Sequence, residues 1–292
     1  MGQQVINGLF LGSIYALFAL GYTLVFGVLD MLNLAHQAVF MLCAFVALSL
    51  VGFLHLHILV AFPVSVAAAG LLGVVIERVA FRPLRGRTSS NISGLISSLA
   101  VATIFESIAL GVWGPDVSRF PFHTVPERQL HLGGAVIQEL QLVIIGVSVV
   151  MMVALTVLLR RTHLGRQIRA VAESGLAARV LGVDVDRVIA ASFFISSALG
   201  GAAGVLFGLA FNSISPDVGR SVELKGLAVI IVGGMGSMPG AVAAGFALGL
   251  LEVFTVARFG SSYRDAVSFA ALFVVLLARP RGLFGAAPSR VA

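Results

Sequence analysis

The chain has 292 residues, of which 59% are hydrophobic and 11% charged, with a mean hydropathy of +1.04 and a formal net charge of +6 at pH 7. Soluble domains carry roughly a quarter charged residues, so this composition excludes a water-soluble globular protein, whose core could not bury that much apolar surface. The positive charge is nearly all Arg, the one lysine being Lys225, and it comes in short bursts between apolar segments. Nucleic acid would require a continuous basic patch, whereas such bursts are the positive-inside pattern of membrane-protein loops.

Between Met1 and Ile76 the only Asp, Glu, Lys or Arg is Asp30. A spanning helix needs roughly 20 apolar residues to cross roughly 30 Å of hydrocarbon. Charge-poor windows bounded by Arg, Pro or Gly clusters predict spans over Val5–Val28, Met31–Leu54, Ile58–Ile76, Ile92–Trp113, Leu140–Leu159 and Val188–Phe211. Met1–Ile6 has no basic side chain and no cleavage pattern follows, so the first span is expected to stay in the mature protein. Cys43 lies within an apolar run, where a buried inert thiol is expected.

The stretch Gly226–Val256 would measure roughly 45 Å as one helix, too long for one crossing. The run Gly233-Gly234-Met235-Gly236-Ser237-Met238-Pro239-Gly240 should divide it in two, before a last span over Ala266–Ala278.

Arg78, Arg82, Arg85 and Arg87 in the loop 77–90, and Arg160, Arg161, Arg166, Arg169, Arg179 and Arg187 in the loop 160–187, predict a shared cytoplasmic side. The loop 114–139, with Pro115, Pro121 and Pro126, should face the other way, and the tail with Arg279, Arg281 and Arg290 should be cytoplasmic. The expectation is therefore an all-α polytopic membrane protein, a single transmembrane domain over 1–292 with its N-terminus outside. It has nine crossings, or eight with a re-entrant segment.

Small residues recur every four positions: Gly8 and Gly12; Gly200, Gly204 and Gly208; Gly236 and Gly240; Gly245 and Gly249. This spacing predicts close helix packing inside the bundle, or for some of them a subunit interface.

A nucleotide-binding loop needs a Gly-Lys-Ser/Thr ending, but Lys225 sits in Glu223-Leu224-Lys225-Gly226, so the chain does not hydrolyse ATP by that route. His-Glu-x-x-His and Gly-x-Ser-x-Gly are also missing, which argues against an intramembrane enzyme. Glu106 lies inside a predicted span, where a charge is costly; it either lines a polar cavity or pairs structurally with an Arg, while Asp30 and Glu252 are expected near interfaces.

Asp30, Asn33, His36 and Gln37 interrupt two strongly apolar runs. They form either an ordinary turn or the unwound entry to a discontinuous helix, whose freed backbone meets a solute. The Gly233–Gly240 break is its counterpart, so Asn33, His36, Gln37, Glu106, Gly233, Gly234, Gly236 and Ser237 are candidate translocation-path residues. In the loop 160–187, Ile168, Val171, Ala172, Leu176 and Val180 recur at helical spacing, opposite Arg166, Arg169, Glu173 and Arg179. One short amphipathic helix is expected there, lying on lipid or docking into a partner's groove.

Three regions together resemble the LivH-type permeases of branched-chain amino acid ABC importers. They are Asn7-Gly8, Gly12–Leu17 and Gly21–Gly27 leading into Asn33-Leu34-Ala35-His36; Gly165–Ala172 through Leu181-Gly182-Val183; and Gly233–Ala241. The resemblance implies a coupling segment that contacts ATPase subunits, carried here by Gly165, Arg166, Arg169, Glu173, Arg179 and Gly182. Ser174-Gly175-Leu176 departs from the acidic or proline-rich form common in relatives.

The resemblance further implies a LivM-like second permease, two cytoplasmic ATPases (LivG-like and LivF-like) that hold ATP and magnesium, and a periplasmic solute-binding protein. This chain itself would carry no cofactor and bind no nucleic acid, in the bacterial inner membrane. The related family also serves urea, short amides and aromatic acids. A stand-alone secondary carrier or channel is the rival from another class.

Overall fold

The structure is a computed structural model and describes residues 1–85, 90–121, 124, 128–132, 135–279 and 282–285. Arg87, Pro126, Arg281 and Arg290, used above to assign loop sides, lie outside the described residues. Eleven α-helices are described: α1 (Gly2–Leu29), α2 (His36–Gly52), α3 (Ile58–Ile76), α4 (Ser90–Trp113), α5 (Glu139–Arg161), α6 (His163–Glu173), α7 (Gly175–Val180), α8 (Val185–Phe211), α9 (Val218–Gly233), α10 (Met238–Phe259) and α11 (Arg264–Ala278). Seven helical stretches are long and apolar enough to cross a membrane, α2 being shorter. The protein is an all-α polytopic membrane protein. The loop between α4 and α5 adds a feature not expected from its prolines, an antiparallel hairpin of β1 (Gln129–Leu132) and β2 (Ala135–Gln138).

Depth in the bundle follows side-chain size. In the most apolar window of α1 and of α8, 83% and 72% of residues are buried, against 17% for α4 and 6% for the last helix, so the first pair forms the centre and the second pair the outside. The central helices carry the four-residue glycine spacing. A β-carbon on Gly245 would lie 2.6 Å from the Ala16 Cα, and one on Gly12 2.8 Å from the Phe246 Cα, so α1 and α10 touch backbone to backbone. Lipid offers no hydrophobic drive between helices, and such contact replaces it with dispersion. Gly204 abuts the Phe40 carbonyl in the same way, seating α2 on α8. The glycine spacing is thus internal packing in these helices; a β-carbon on Gly236 would meet nothing within 4 Å, and this glycine belongs to a turn.

The two ends of the bundle are distinguishable. At one end the Val136 amide donates to Gln3 Oε1 at 2.8 Å, Ser118 pairs with Ile214, and the Phe120 amide donates to Asn212 Oδ1 at 2.8 Å. The N-terminus and the 114–139 loop therefore share that end. At the opposite end Arg82 and Arg85 each hold Asp186 at 3.0 Å, which joins the two Arg-rich loops as their charge pattern requires. The segment 282–285 lies with them, because the Leu283 amide donates to the Val232 carbonyl at the far end of α9.

Two spans differ from expectation. The second begins at His36 rather than Met31, and residues 31–35 are not helical. Asp30 closes α1 in the left-handed conformation (φ 54°), and the Asn33 side chain accepts the Ala35 amide, holding the chain away from a helical path. The Gly226 stretch does divide, but its first helix starts eight residues earlier, at Val218, so that Arg220, Glu223 and Lys225 lie within α9.

Candidate functional site

The connection between α1 and α2 rises into the bundle instead of capping it. The Leu34 amide donates to Ser98 Oγ at 3.1 Å, about two turns inside α4, and the His36 ring nitrogen Nε2 lies 3.3 Å from the Phe18 carbonyl. Phe18 is eleven residues, about 16 Å, from the Leu29 end of α1, so α2 begins near mid-depth. This is the geometry of a discontinuous helix. Asn33, His36 and Gln37 are buried there, at 2%, 1% and 6% exposure. The small size of Gly21 and Gly200 admits the imidazole, since a β-carbon on Gly200 would lie 2.5 Å from its Cε1.

Glu223 meets this hinge from α9, its Oε2 accepting the Gln37 amide at 3.1 Å. The carboxylate therefore caps the buried start of α2, where unsatisfied N–H groups and the helix dipole favour negative charge. Beside it Tyr22 packs edge-on to His36, ring centroids 5.4 Å apart. Sequence reasoning missed Glu223. Its signal was available: an acidic residue three positions before a charge-free run is by default a functional candidate in a membrane.

A second buried cluster was missed as well. The Tyr15 hydroxyl donates to Glu252 Oε2 at 2.9 Å, Lys225 Nζ reaches Glu252 Oε1 at 2.8 Å and Asp265 Oδ1 at 3.1 Å, and Arg264 Nε lies 2.5 Å from Glu252 Oε1. Glu252 is fully buried rather than near an interface. Its neutralising cations come from α9 and α11, which the one-dimensional charge pattern does not pair. The cluster binds four helices together, and only its Asp265 and Arg264 members on α11 reach the surface.

Glu106 does line a polar cavity, a cleft of about 340 Å³ with Pro115, Pro216, Asp217 and Arg220, and its Oε2 lies 3.9 Å from Arg220. Both readings of that residue hold together. The cleft opens at the end of the bundle that carries the 114–139 loop. Gly233, Gly234, Gly236 and Ser237 form the turn between α9 and α10 at the other end. Ser237 Oγ accepts the Gly240 amide and starts α10, while Gly233 backs onto Gly240 and Gly234 onto Gly285. The structure does not bring this turn to the His36 hinge: Gly226, seven residues earlier on α9, is the glycine that faces Phe18.

The segment 160–187 holds two helices, not one. Ser174 ends α6 and its hydroxyl accepts the Ala177 amide to start α7. Gly165, Ile168 and Val171 are buried, but Ala172, Leu176 and Val180 are exposed, so the apolar stripe turns outward past the break. Leu176, Val180 and Leu181 are 77%, 81% and 81% exposed. Arg166, Glu173, Arg179 and Gly182 are exposed too, Gly182 closing α7 with φ +83°. Arg169 is exposed as well, but its guanidinium donates to the Leu159 carbonyl at the end of α5 and so braces α6 against the bundle.

Comparison with known proteins adds the following. A family model described as "Branched-chain amino acid transport system / permease component" matches residues 4–276. The high-affinity branched-chain amino acid transport system permease protein BraD of Pseudomonas aeruginosa is 36% identical over 97% of this chain and 95% of its own length. The LivH permease protein of the corresponding Escherichia coli K12 system is 37% identical over the same shares. Among solved structures, PsaBC from Streptococcus pneumoniae in complex with Fab matches with a TM-score of 0.51 at 15% identity, covering 94% of this chain and 91% of that one, a likeness of fold.

Proposed function

Because the chain belongs to the family of branched-chain amino acid transport permeases, we propose that it forms one half of the path by which branched-chain amino acids enter a bacterial cell through its inner membrane. A LivM-like permease supplies the other half. Two cytoplasmic ATPases, LivG-like and LivF-like, supply the energy and hold ATP and magnesium, and a periplasmic binding protein delivers the solute. The names of its relatives favour this solute class over urea, short amides or aromatic acids, and calorimetry on the partner binding protein tests it.

The observation that carries the reading is the outward-facing α7. Leu176, Val180 and Leu181 stand in the open at the Arg-rich end of the bundle, next to Arg166 and Arg179. An amphipathic helix presenting both apolar and basic groups fits a groove on a neighbouring subunit, and ATPases closing on ATP would push it. α6 relays that push to α5 through Arg169 and to the buried face Gly165–Ile168–Val171. The bundle then rocks about the α1–α2 hinge. Solute passes from the Glu106 cleft by Asn33, His36 and Gln37 and leaves beside the Gly233–Ser237 turn. Such a shift requires the two states to differ in their contacts at α7.

In the reconstituted complex, Leu181→Asp and Arg166→Glu should each lower ATP hydrolysis stimulated by loaded binding protein roughly tenfold, as expected for an interface hot spot. Stimulation equal to the parent's in both variants rejects the docking role.

A further inference from the structure

Resting on the reading above, we infer that Glu223, Gln37, Tyr22 and His36 form a recognition site for the α-ammonium group of the transported amino acid. Four helical positions converge. Glu223 Oε2 accepts the Gln37 amide at 3.1 Å, Tyr22 and His36 pack ring on ring, and the Tyr22 hydroxyl stands beside the Glu223 carboxylate. Each side chain is more than nine-tenths buried. Yet Glu223 Oε1, Gln37 Oε1, Tyr22 Oη and His36 Nδ1 all lack a hydrogen-bond partner among the described residues. Buried polar atoms are ordinarily paired, so a group of orphans in one place is suited to receive a polar ligand.

Their chemistry selects that ligand. Glu223 Oε1 and Gln37 Oε1 only accept hydrogen bonds. The Phe18 carbonyl beside His36 Nε2 can accept but not donate, so the proton sits on Nε2 and the neutral ring offers Nδ1 as an acceptor. The Tyr22 hydroxyl both donates and accepts, and beside the Glu223 carboxylate it is the donor. Glu223 Oε1, Gln37 Oε1 and His36 Nδ1 are therefore three unpartnered acceptors in one cluster, one of them ionisable, and the Tyr22 hydroxyl beside the carboxylate is a donor without charge. No Arg, Lys or His nitrogen forms an ion pair with Glu223 among the described residues, whereas Glu252 lies within 4.0 Å of two cations. A primary ammonium brings three N–H donors and the missing positive charge in one small group. The position matters as well, for α2 starts at this site.

Glu223→Gln tests charge apart from shape, because the amide oxygen still accepts the Gln37 amide while the anionic partner is gone. With both permeases, both ATPases and binding protein loaded with L-leucine in proteoliposomes, leucine uptake should fall roughly tenfold or more, the loss expected of a charge-assisted bond. Stimulated ATP hydrolysis should stay within about twofold of the parent, since the docking end is untouched. A merely structural cap would move both readouts together or neither. Uptake equal to the parent's overturns the inference and leaves the permease reading standing, and so does a parallel fall in both rates. If Glu223→Gln does not assemble, Tyr22→Phe, which removes one hydroxyl, decides: reduced uptake with retained hydrolysis supports the site, and unchanged uptake overturns it. A parent complex that couples ATP hydrolysis to its binding protein without taking up L-leucine rejects the solute reading and this inference with it.

Discussion

Glu252 and Glu223 show what burial does to two carboxylates in one membrane bundle. Glu252 is fully buried but neutralised by Lys225 and Arg264, with a hydroxyl from Tyr15 completing its shell. Removing one partner of such a group leaves the others buried and unpaired, so Glu252→Ala should destabilise the purified protein by about 3 kcal/mol, read as a lowered thermal midpoint in detergent. Arg82→Ala removes one exposed partner of Asp186, which Arg85 still holds, and should cost less than about 1 kcal/mol by the same measurement. Equal shifts for the two variants would contradict this contrast between core and surface. The partners of Glu252 and Glu223 were not legible in the sequence, because they lie 12 to 237 and 186 positions away respectively.

At the scale of elements, glycine spacing was fully legible and local polarity only partly so. Four-residue glycine recurrence predicted close helix packing because close approach imposes the same requirement at every turn, and the structure pairs the helices as α1–α10 and α2–α8. Gly245→Leu should therefore force α10 away from Ala16, with a cost of about 3 kcal/mol or loss of the folded protein, while Gly236→Leu changes packing little. Gly236 has φ +83°, however, and carries a separate backbone cost. Folded yield of the two variants by size exclusion checks the order. The segment 160–187 was legible as amphipathic but not as two helices. Helical spacing continues through Ser174 in the sequence, and only the hydroxyl's capping bond to Ala177 ends one helix and starts the next. That break reverses what the apolar residues do: Ile168 and Val171 anchor, while Leu176 and Val180 are left exposed.

Over the whole molecule, the two ends of the bundle should lie on opposite sides of the membrane. Arg166→Cys should react with a membrane-impermeant maleimide only from the cytoplasmic side, and Val117→Cys only from the other; both positions are exposed at opposite ends. Cys43 is buried and should stay unlabelled, providing the background. Labelling of both positions from one side would contradict the proposed orientation.

Composition and charge order alone determined that the chain is a polytopic α-helical membrane protein, that its Arg-rich loops share one end, and that its break points fall near Asn33 and Gly233. These follow from the cost of placing charge or unpaired backbone in hydrocarbon, which each segment bears by itself. Tertiary structure decided where the polar groups inside the bundle go: that α2 starts beside Phe18, that Glu223 closes on that start while Glu252 is neutralised elsewhere, and that the Gly233 turn stays apart from both. Those outcomes depend on which helices become neighbours, and neighbours across a bundle leave no period or spacing in the chain.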